Sequence, residues 1–201
     1  MSWIDVIPYN KASGTLKKLY NRVKGPNNNV DNIMLAHSLR PHTMSGHMAL
    51  YKNVLHNSNN TLPKWFLETI GVYVSILNKC DYCVAHHSKG LKRLLNDNQK
   101  FNQIQLNLQS EQFCEIFEYK YEMALNYAKL LTLNPFLVSK NEIDLLLKEG
   151  FTSGEVLEIN QVTAYFNYAN RTVLGLGVTT EGDILGLSPN NSSEENNWNH
   201  Q

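Results

Sequence analysis

Glu68, Cys80, Cys83 and His87 carry the clearest chemical pattern in this sequence: a Cys-x-x-Cys pair with a histidine four residues after its second cysteine and an acid twelve residues before its first. On a helix turning about 100° per residue, Cys80, Cys83 and His87 fall within an arc of roughly 60°. Cys83 and His87 stand at i, i+4, the spacing at which helical side chains touch. A thiolate attacks peroxide oxygen or a disulfide, whereas a thiol hardly reacts. A cysteine at the start of a helix has its thiolate favoured by the unpaired N–H groups there. An imidazole one turn later can take the thiol proton, and a carboxylate bonded to that imidazole would fix its tautomer and stabilise its charged form.

Glu68 is the natural carboxylate, because it lies on a mostly apolar stretch where an acid needs a reason to be. On one unbroken helix it would sit about 120° from Cys80, so a bend near Asn78-Lys79 must turn it inward. His86 points away from the arc and reads as a bystander, and Asp81 should face another direction. The competing reading of the pair is a zinc corner. Zinc wants four ligands, however, and Cys80, Cys83 and His87 offer three with no second such motif. Cys114, between Phe113 and Ile116, reads as a buried small hydrophobe. His37, His42, His47 and His56 lack metal-ligand spacing and read as surface or packing residues, while Tyr165, Phe166 and Tyr168 read as core.

The elements that must hold this pattern are helical almost throughout, giving an all-α fold. Residues 10–24 are amphipathic through Leu16, Leu19, Tyr20 and Val23, and stop at Gly25-Pro26. Asp31 can cap a short helix that Pro41 interrupts, and the next helix runs from about 43 to 56. Pro63 opens an apolar helix through Ile76, and a further helix spans about 81–95. The Asn- and Gln-rich stretch 96–110 reads as a loop with a weak helical turn. Apolar periodicity returns over 110–133, a short helix follows Ser139, and Thr152-Ser-Gly-Glu155 fits a capping box ahead of a helix ending at Gly175 or Gly177. Residues 30–95 and 112–177 both read as helix, helix, capped apolar helix, which suggests a duplicated unit. One domain over 1–182 is expected, followed by a loop and mobile tail over 183–201 in which Trp198 docks at no place the sequence specifies.

Composition narrows the function further. The chain has 201 residues, with 18 basic residues balanced by 18 acidic ones. That balance argues against nucleic acid as a partner. No apolar run approaches the roughly 20 residues that cross a bilayer, and no leader pattern opens the sequence, so a cytoplasmic protein is expected. Three cysteines do not make a disulfide framework. Asn59-Asn-Thr and Asn170-Arg-Thr then match the glycosylation pattern by chance, and no flavin, haem or nucleotide motif appears.

Glu68, eleven residues, Cys80-x-x-Cys83, three residues, His87 resembles the active-site signature of the alkyl hydroperoxidase D-like proteins of the carboxymuconolactone decarboxylase superfamily. Ser38-Leu-Arg-Pro41, Val74-Ser75, Asn78 and Tyr165-Phe-Asn167-x-x-Asn170-Arg171 strengthen the likeness to their peroxidase-related branch, which extends over about residues 5–180. The resemblance implies a duplicated helical fold assembled as dimers, trimers or hexamers. It implies that Cys83 is oxidised by a hydroperoxide to a sulfenic acid, that Cys80 resolves it as a disulfide, and that Glu68 and His87 relay the proton. Helix-terminus reasoning alone favours Cys80 as the low-pKa thiol; the resemblance, and the single turn between Cys83 and His87, favour Cys83 as nucleophile. Better-studied members place a histidine between the cysteines, where this chain has Tyr82, a phenol that cannot be the same base near neutral pH. Tyr82 is therefore an auxiliary residue at most.

These readings amount to a thiol-dependent peroxidase with no bound cofactor or metal, a hydroperoxide substrate and an external dithiol or lipoyl-type reductant protein. The alternatives are a lyase or isomerase using Glu68 and His87 as acid and base, and a non-catalytic redox-responsive oligomeric scaffold.

Overall fold

The computed structural model describes residues 2–194 and 197–200. Nine α-helices are present among them: α1 (Gly14–Val23), α2 (Asn32–Ala36), α3 (Pro41–Leu55), α4 (Lys64–Leu77), α5 (Asp81–Leu95), α6 (Asn98–Ser110), α7 (Tyr119–Leu133), α8 (Lys140–Lys148) and α9 (Ser153–Leu176). The only β feature among the described residues is an isolated antiparallel bridge between Pro189 and His200. The all-α expectation holds.

α4 is apolar on nearly every face and is accordingly central. Phe66, Leu67, Ile70, Val72, Tyr73 and Val74 are all buried, and the helix packs against α5, α7 and α9. Gly71 permits a close approach of α9. A Cβ there would overlap the Phe166 ring of α9, so the two helices meet where a side chain is missing. α4 ends at Asn78, whose N–H bonds the Val74 carbonyl. Lys79 takes a left-handed conformation (φ 56°), and the Cys80 N–H returns to the Ser75 carbonyl at 2.9 Å. This is the expected bend, and it folds α5 back along α4.

α9 opens with the expected capping box, in which the Glu155 N–H donates to Thr152 Oγ1 and the Glu155 carboxylate accepts the Thr152 N–H. It closes at left-handed Gly177 (φ 59°), against which the Trp3 ring lies too closely for any Cβ. α8 carries a second capping box through Ser139 and Glu142.

Four local expectations are corrected. The break between α2 and α3 is as expected, but Pro41 is itself the first residue of α3, which therefore starts two residues early, since a missing N–H costs nothing there. Residues 98–110 are a full helix. Asp97 caps it by accepting the Lys100 N–H, and Ile104 and Leu108, one turn apart, are both fully buried and outweigh the polar composition. Cys114 is exposed, because a short 3-10 turn over Phe113–Glu115 buries Phe113 and turns the thiol outward.

The fourth concerns the C-terminal segment. It is irregular as expected, but its described residues pack against the body of the molecule instead of trailing from it. The Lys52 ammonium donates to the Asn190 carbonyl (2.6 Å), Ser192 Oγ (3.1 Å) and the His56 carbonyl (3.0 Å). Trp198 is buried under the Arg22 guanidinium, 3.6 Å from the ring centre. Gly186 (φ 84°) lets this strap lie directly on Lys89 and Gly90 of α5, where a side chain would collide. Glu195, Asn196 and Gln201 of the expected tail lie outside the described residues.

Candidate active site

The α4–α5 hairpin brings Glu68 and His87 together. His87 Nδ1 lies 2.8 Å from Glu68 Oε2, and the carboxylate is all but sealed from solvent at 3% side-chain exposure. An acid this buried needs a partner, and the imidazole supplies it. The bond fixes the ring tautomer and leaves Nε2 free for chemistry. The ring is also held by contact with Phe166 (4.5 Å between centres, edge to face) and Tyr51 (6.1 Å).

Cys80 occupies the N-cap position of α5, and Cys83 lies in its first turn. Both are buried free thiols. Charge does not distribute evenly between them. Cys80 is held below the usual thiol range, first because the Cys83 thiol acts as a donor to it, then through the Cys83 backbone amide and the Asn170 side chain, all against the cost of burial. Cys83 is pushed well above that range by its role as donor to Cys80, by burial and by the negative charge of Cys80, with Asn170 opposing. The two thiols thus titrate as a coupled pair in which Cys80 is the sulfur whose ionisation is favoured.

Asn170 is fully buried on α9, donates to Ser75 Oγ (3.1 Å) and accepts from the Asn78 amide (3.0 Å). Its amide is one of the favourable influences on both sulfurs. In sequence it was part of a stretch resembling a family and of a fortuitous glycosylation triplet; only the packing of α9 on α4 shows its position.

A small cavity of about 40 Å³ opens beside Cys83. Glu68, His86 and His87 from the hairpin, Tyr51 and His47 from α3, and Tyr165 from α9 line it, and the strap covers it with Gly186–Ser188 and His200. Cys80 is not in this lining; Cys83 is the sulfur that a small molecule would meet.

His86, which a single-helix projection sets aside as a bystander, faces the same cavity. Its Nε2 lies 3.1 Å from Asp183 Oδ2, and the Tyr82 hydroxyl donates to that same oxygen at 2.8 Å. The Asn32 N–H donates to Asp183 Oδ1 at 3.0 Å, and the Ile33 N–H donates to the Tyr82 hydroxyl at 3.2 Å. Burial, and the adjacent Asp183 charge, push Tyr82 well above the usual phenol range, so it binds as a hydroxyl and not as a base. Burial raises Asp31 to about 7, a shift that His86 opposes and Asp183 reinforces. Asp183 was beyond the reach of motif reading, since it lies some hundred residues from its partners in a stretch with no periodicity.

His47 and His56 pack as expected but more deeply than a surface reading allows: burial lowers His47 to about 3 and His56 well below its ordinary value. His37 is buried too. Among the described residues no group of three or more His, Cys, Asp or Glu side chains is placed to hold a metal ion. No helix among the described residues is long and apolar enough to cross a membrane.

No family model matches the sequence. Sestrin-2 from Mus musculus is 25% identical over 160 residues, 78% of this chain and 31% of that protein, so the chain spans about a third of the relative's length. A peroxidase-related protein with an alkylhydroperoxidase AhpD core from Ralstonia eutropha JMP134 superposes with a TM-score of 0.76 at 21% identity, covering 89% of this chain and 92% of its own. A peroxidase-related protein from Silicibacter sp. TM1040 gives 0.74 at 22% identity over 89% and 91%. The debrominase Bmp8 gives 0.65 at 17% identity over 82% and 84%. The helical hairpin that presents the two cysteines is therefore set in the all-α fold of the alkyl hydroperoxidase D-like proteins.

Proposed function

We propose that this chain is a thiol-dependent peroxidase in which Cys83 reduces a hydroperoxide and Cys80 closes a disulfide with it. The observation that carries the reading is the buried Glu68–His87 hydrogen bond, opening with Cys83 onto one cavity. The Cys83 thiol passes its proton to His87, directly or by way of Cys80, and the Cys83 sulfur forms a bond to the peroxide oxygen as the O–O bond breaks. Cysteine sulfenic acid and an alcohol or water result. Cys80 then displaces water from that sulfur, and a dithiol donor, a small molecule or a lipoyl-type protein, restores both thiols. Two thiols and one hydroperoxide thus give one disulfide, one alcohol and one water.

A cavity of about 40 Å³ suits a small oxidant. A water needs roughly 10–15 Å³ of such space, so hydrogen peroxide fits. A Bmp8 cysteine-to-alanine variant is known in complex with 2,3,4-tribromopyrrole. The acid–base lyase reading leaves the sulfur beside His87 without a role, and the scaffold reading leaves the buried acid unexplained. Exposed Leu133, Phe136 and Leu137 support self-association.

Titration of the purified chain with hydrogen peroxide tests the reading. Two thiols should disappear and one disulfide form per equivalent; Cys83→Ser should abolish the reaction, and Cys80→Ser should leave a trappable sulfenic acid. Peroxide consumption that persists in Cys83→Ser would remove Cys83 from its role.

A further inference from the structure

The Glu68–His87 pair accounts for one of two proton movements. Peroxide reduction takes a proton from a thiol, but it must also deliver one to the departing oxygen, because hydroxide and alkoxide are poor leaving groups. A second histidine, His86, lines the cavity, and a carboxylate outside the lining, Asp183, holds its ring from behind. His86 follows directly on Asp81–Ala85 in the same helix as Cys83, and Asp183 reaches it from the strap.

Asp183 is built to hold that ring. Its side chain is 1% exposed and accepts three hydrogen bonds from two helices: the Asn32 N–H of α2, and the Tyr82 hydroxyl and His86 Nε2 of α5. Occupation of Nε2 assigns the fixed ring proton to that nitrogen and leaves Nδ1 as the site of the second, transferable proton. Tyr82 spends its hydroxyl proton on Asp183 and so helps to hold the carboxylate against His86. The other ionisable groups around His86 are Asp31 and His200, both along the cavity wall.

We propose that His86, oriented by Asp183, is the acid that protonates the leaving oxygen, so that the C-terminal strap completes the reaction centre. The inference rests on the peroxidase reading above. As the Cys83 sulfur bonds to one peroxide oxygen, the O–O electron pair moves to the other, which takes the His86 Nδ1 proton and leaves as water or alcohol. His86 regains its proton from solvent. Asp183 is a positioning residue, acting through the ring.

The test varies the leaving group. Sulfenic acid formation in the full chain is timed with hydrogen peroxide, whose leaving oxygen needs a proton, and with peroxynitrous acid, whose nitrite leaves without one. His86→Gln should slow the reaction with hydrogen peroxide by roughly 10²–10⁴-fold, the span of general acid catalysis, and with peroxynitrous acid by less than about tenfold. Asp183→Asn should show the same imbalance more weakly, and Asp183→Glu should restore part of it. The reaction with peroxynitrous acid also reports whether each variant keeps a folded site. Equal losses with both oxidants, or none, would overturn the assignment of His86 and leave the peroxidase reading intact. A wild-type chain inert to both oxidants would overturn that reading itself.

Discussion

Glu68 and His87 lie nineteen residues apart in sequence yet meet at 2.8 Å, because left-handed Lys79 folds α5 back along α4. The carboxylate is the acceptor that keeps the imidazole in one tautomer within an apolar surround. Glu68→Gln keeps the shape and removes the charge, so sulfenic acid formation should slow by roughly 10²–10⁴-fold if the pair serves as general base. Stopped-flow rates with hydrogen peroxide would measure it. A variant as fast as wild type would mean that the buried acid serves the fold alone.

The two thiols titrate as a coupled pair, and removal of the donor should be visible in the acceptor. Cys83→Ala deprives the Cys80 thiolate of its largest favourable influence, so the Cys80 pKa should rise. Cys80→Ala should lower that of Cys83, because the neighbour's charge and the donor role both disappear. Ultraviolet thiolate absorbance against pH checks both shifts, and opposite directions in the two variants are the signature of the coupled pair.

Gly71 meets the Phe166 ring where α4 crosses α9, and Phe166 in turn packs on His87. Gly71→Ala must displace that ring, at a cost of about 1–3 kcal/mol for overpacking, which exceeds the gain in helix propensity. Denaturant unfolding should show the loss, and the displaced ring should also loosen His87 and slow peroxide reduction.

Acid should unfold the protein through its buried histidines. Near neutral pH His47 is uncharged whether the chain is folded or not. Below about 6.5 the unfolded chain binds a proton that the folded chain refuses until about pH 3, so stability falls as pH drops through that window. His200, held near 4 by burial, acts in the same direction over a narrower window. His47→Phe should flatten the decline in unfolding free energy between pH 6 and 4; an unchanged slope would place His47 in a wetter setting than its burial indicates.

Lys52 fastens the strap through two of its three hydrogen bonds. Lys52→Met keeps much of the side-chain volume and removes the donors, which should release the segment and expose the cavity to larger oxidants. Limited proteolysis after Gly182, together with a rise in the cumene hydroperoxide rate relative to hydrogen peroxide, would register it.

The sequence makes the hairpin legible because everything it needs is local. The spacing of Cys80, Cys83 and His87 follows helical geometry, the Asn78-Lys79 break is a chemical stop signal, and Glu68 is conspicuous among apolar neighbours. Thr152 and Glu155 are readable for the same reason, being a reciprocal cap within four residues. The helix at 98–110 was hidden because Asn and Gln dilute its apolar stripe to Ile104, Leu108 and little else. The His86–Asp183 pair was hidden because a helical projection describes one helix in isolation. Which outward-facing side chain becomes an inward-facing one depends on what later chain lies over it, and residues 183–200 have no period to announce their path. Asn170 and Cys114 show the same limit from opposite sides: one polar residue buried beside sulfur, one thiol turned out to solvent.

The indole of Trp198, tucked beneath Arg22, gives the strap a built-in reporter. Trp3 is largely open to water, so with Trp65 replaced by Phe a red shift and a change in quenching by iodide would single out the moment when Trp198 leaves its seat. Emission followed during turnover would reveal whether the cover over Cys83 lifts once per catalytic cycle or stays closed while small oxidants pass beneath it.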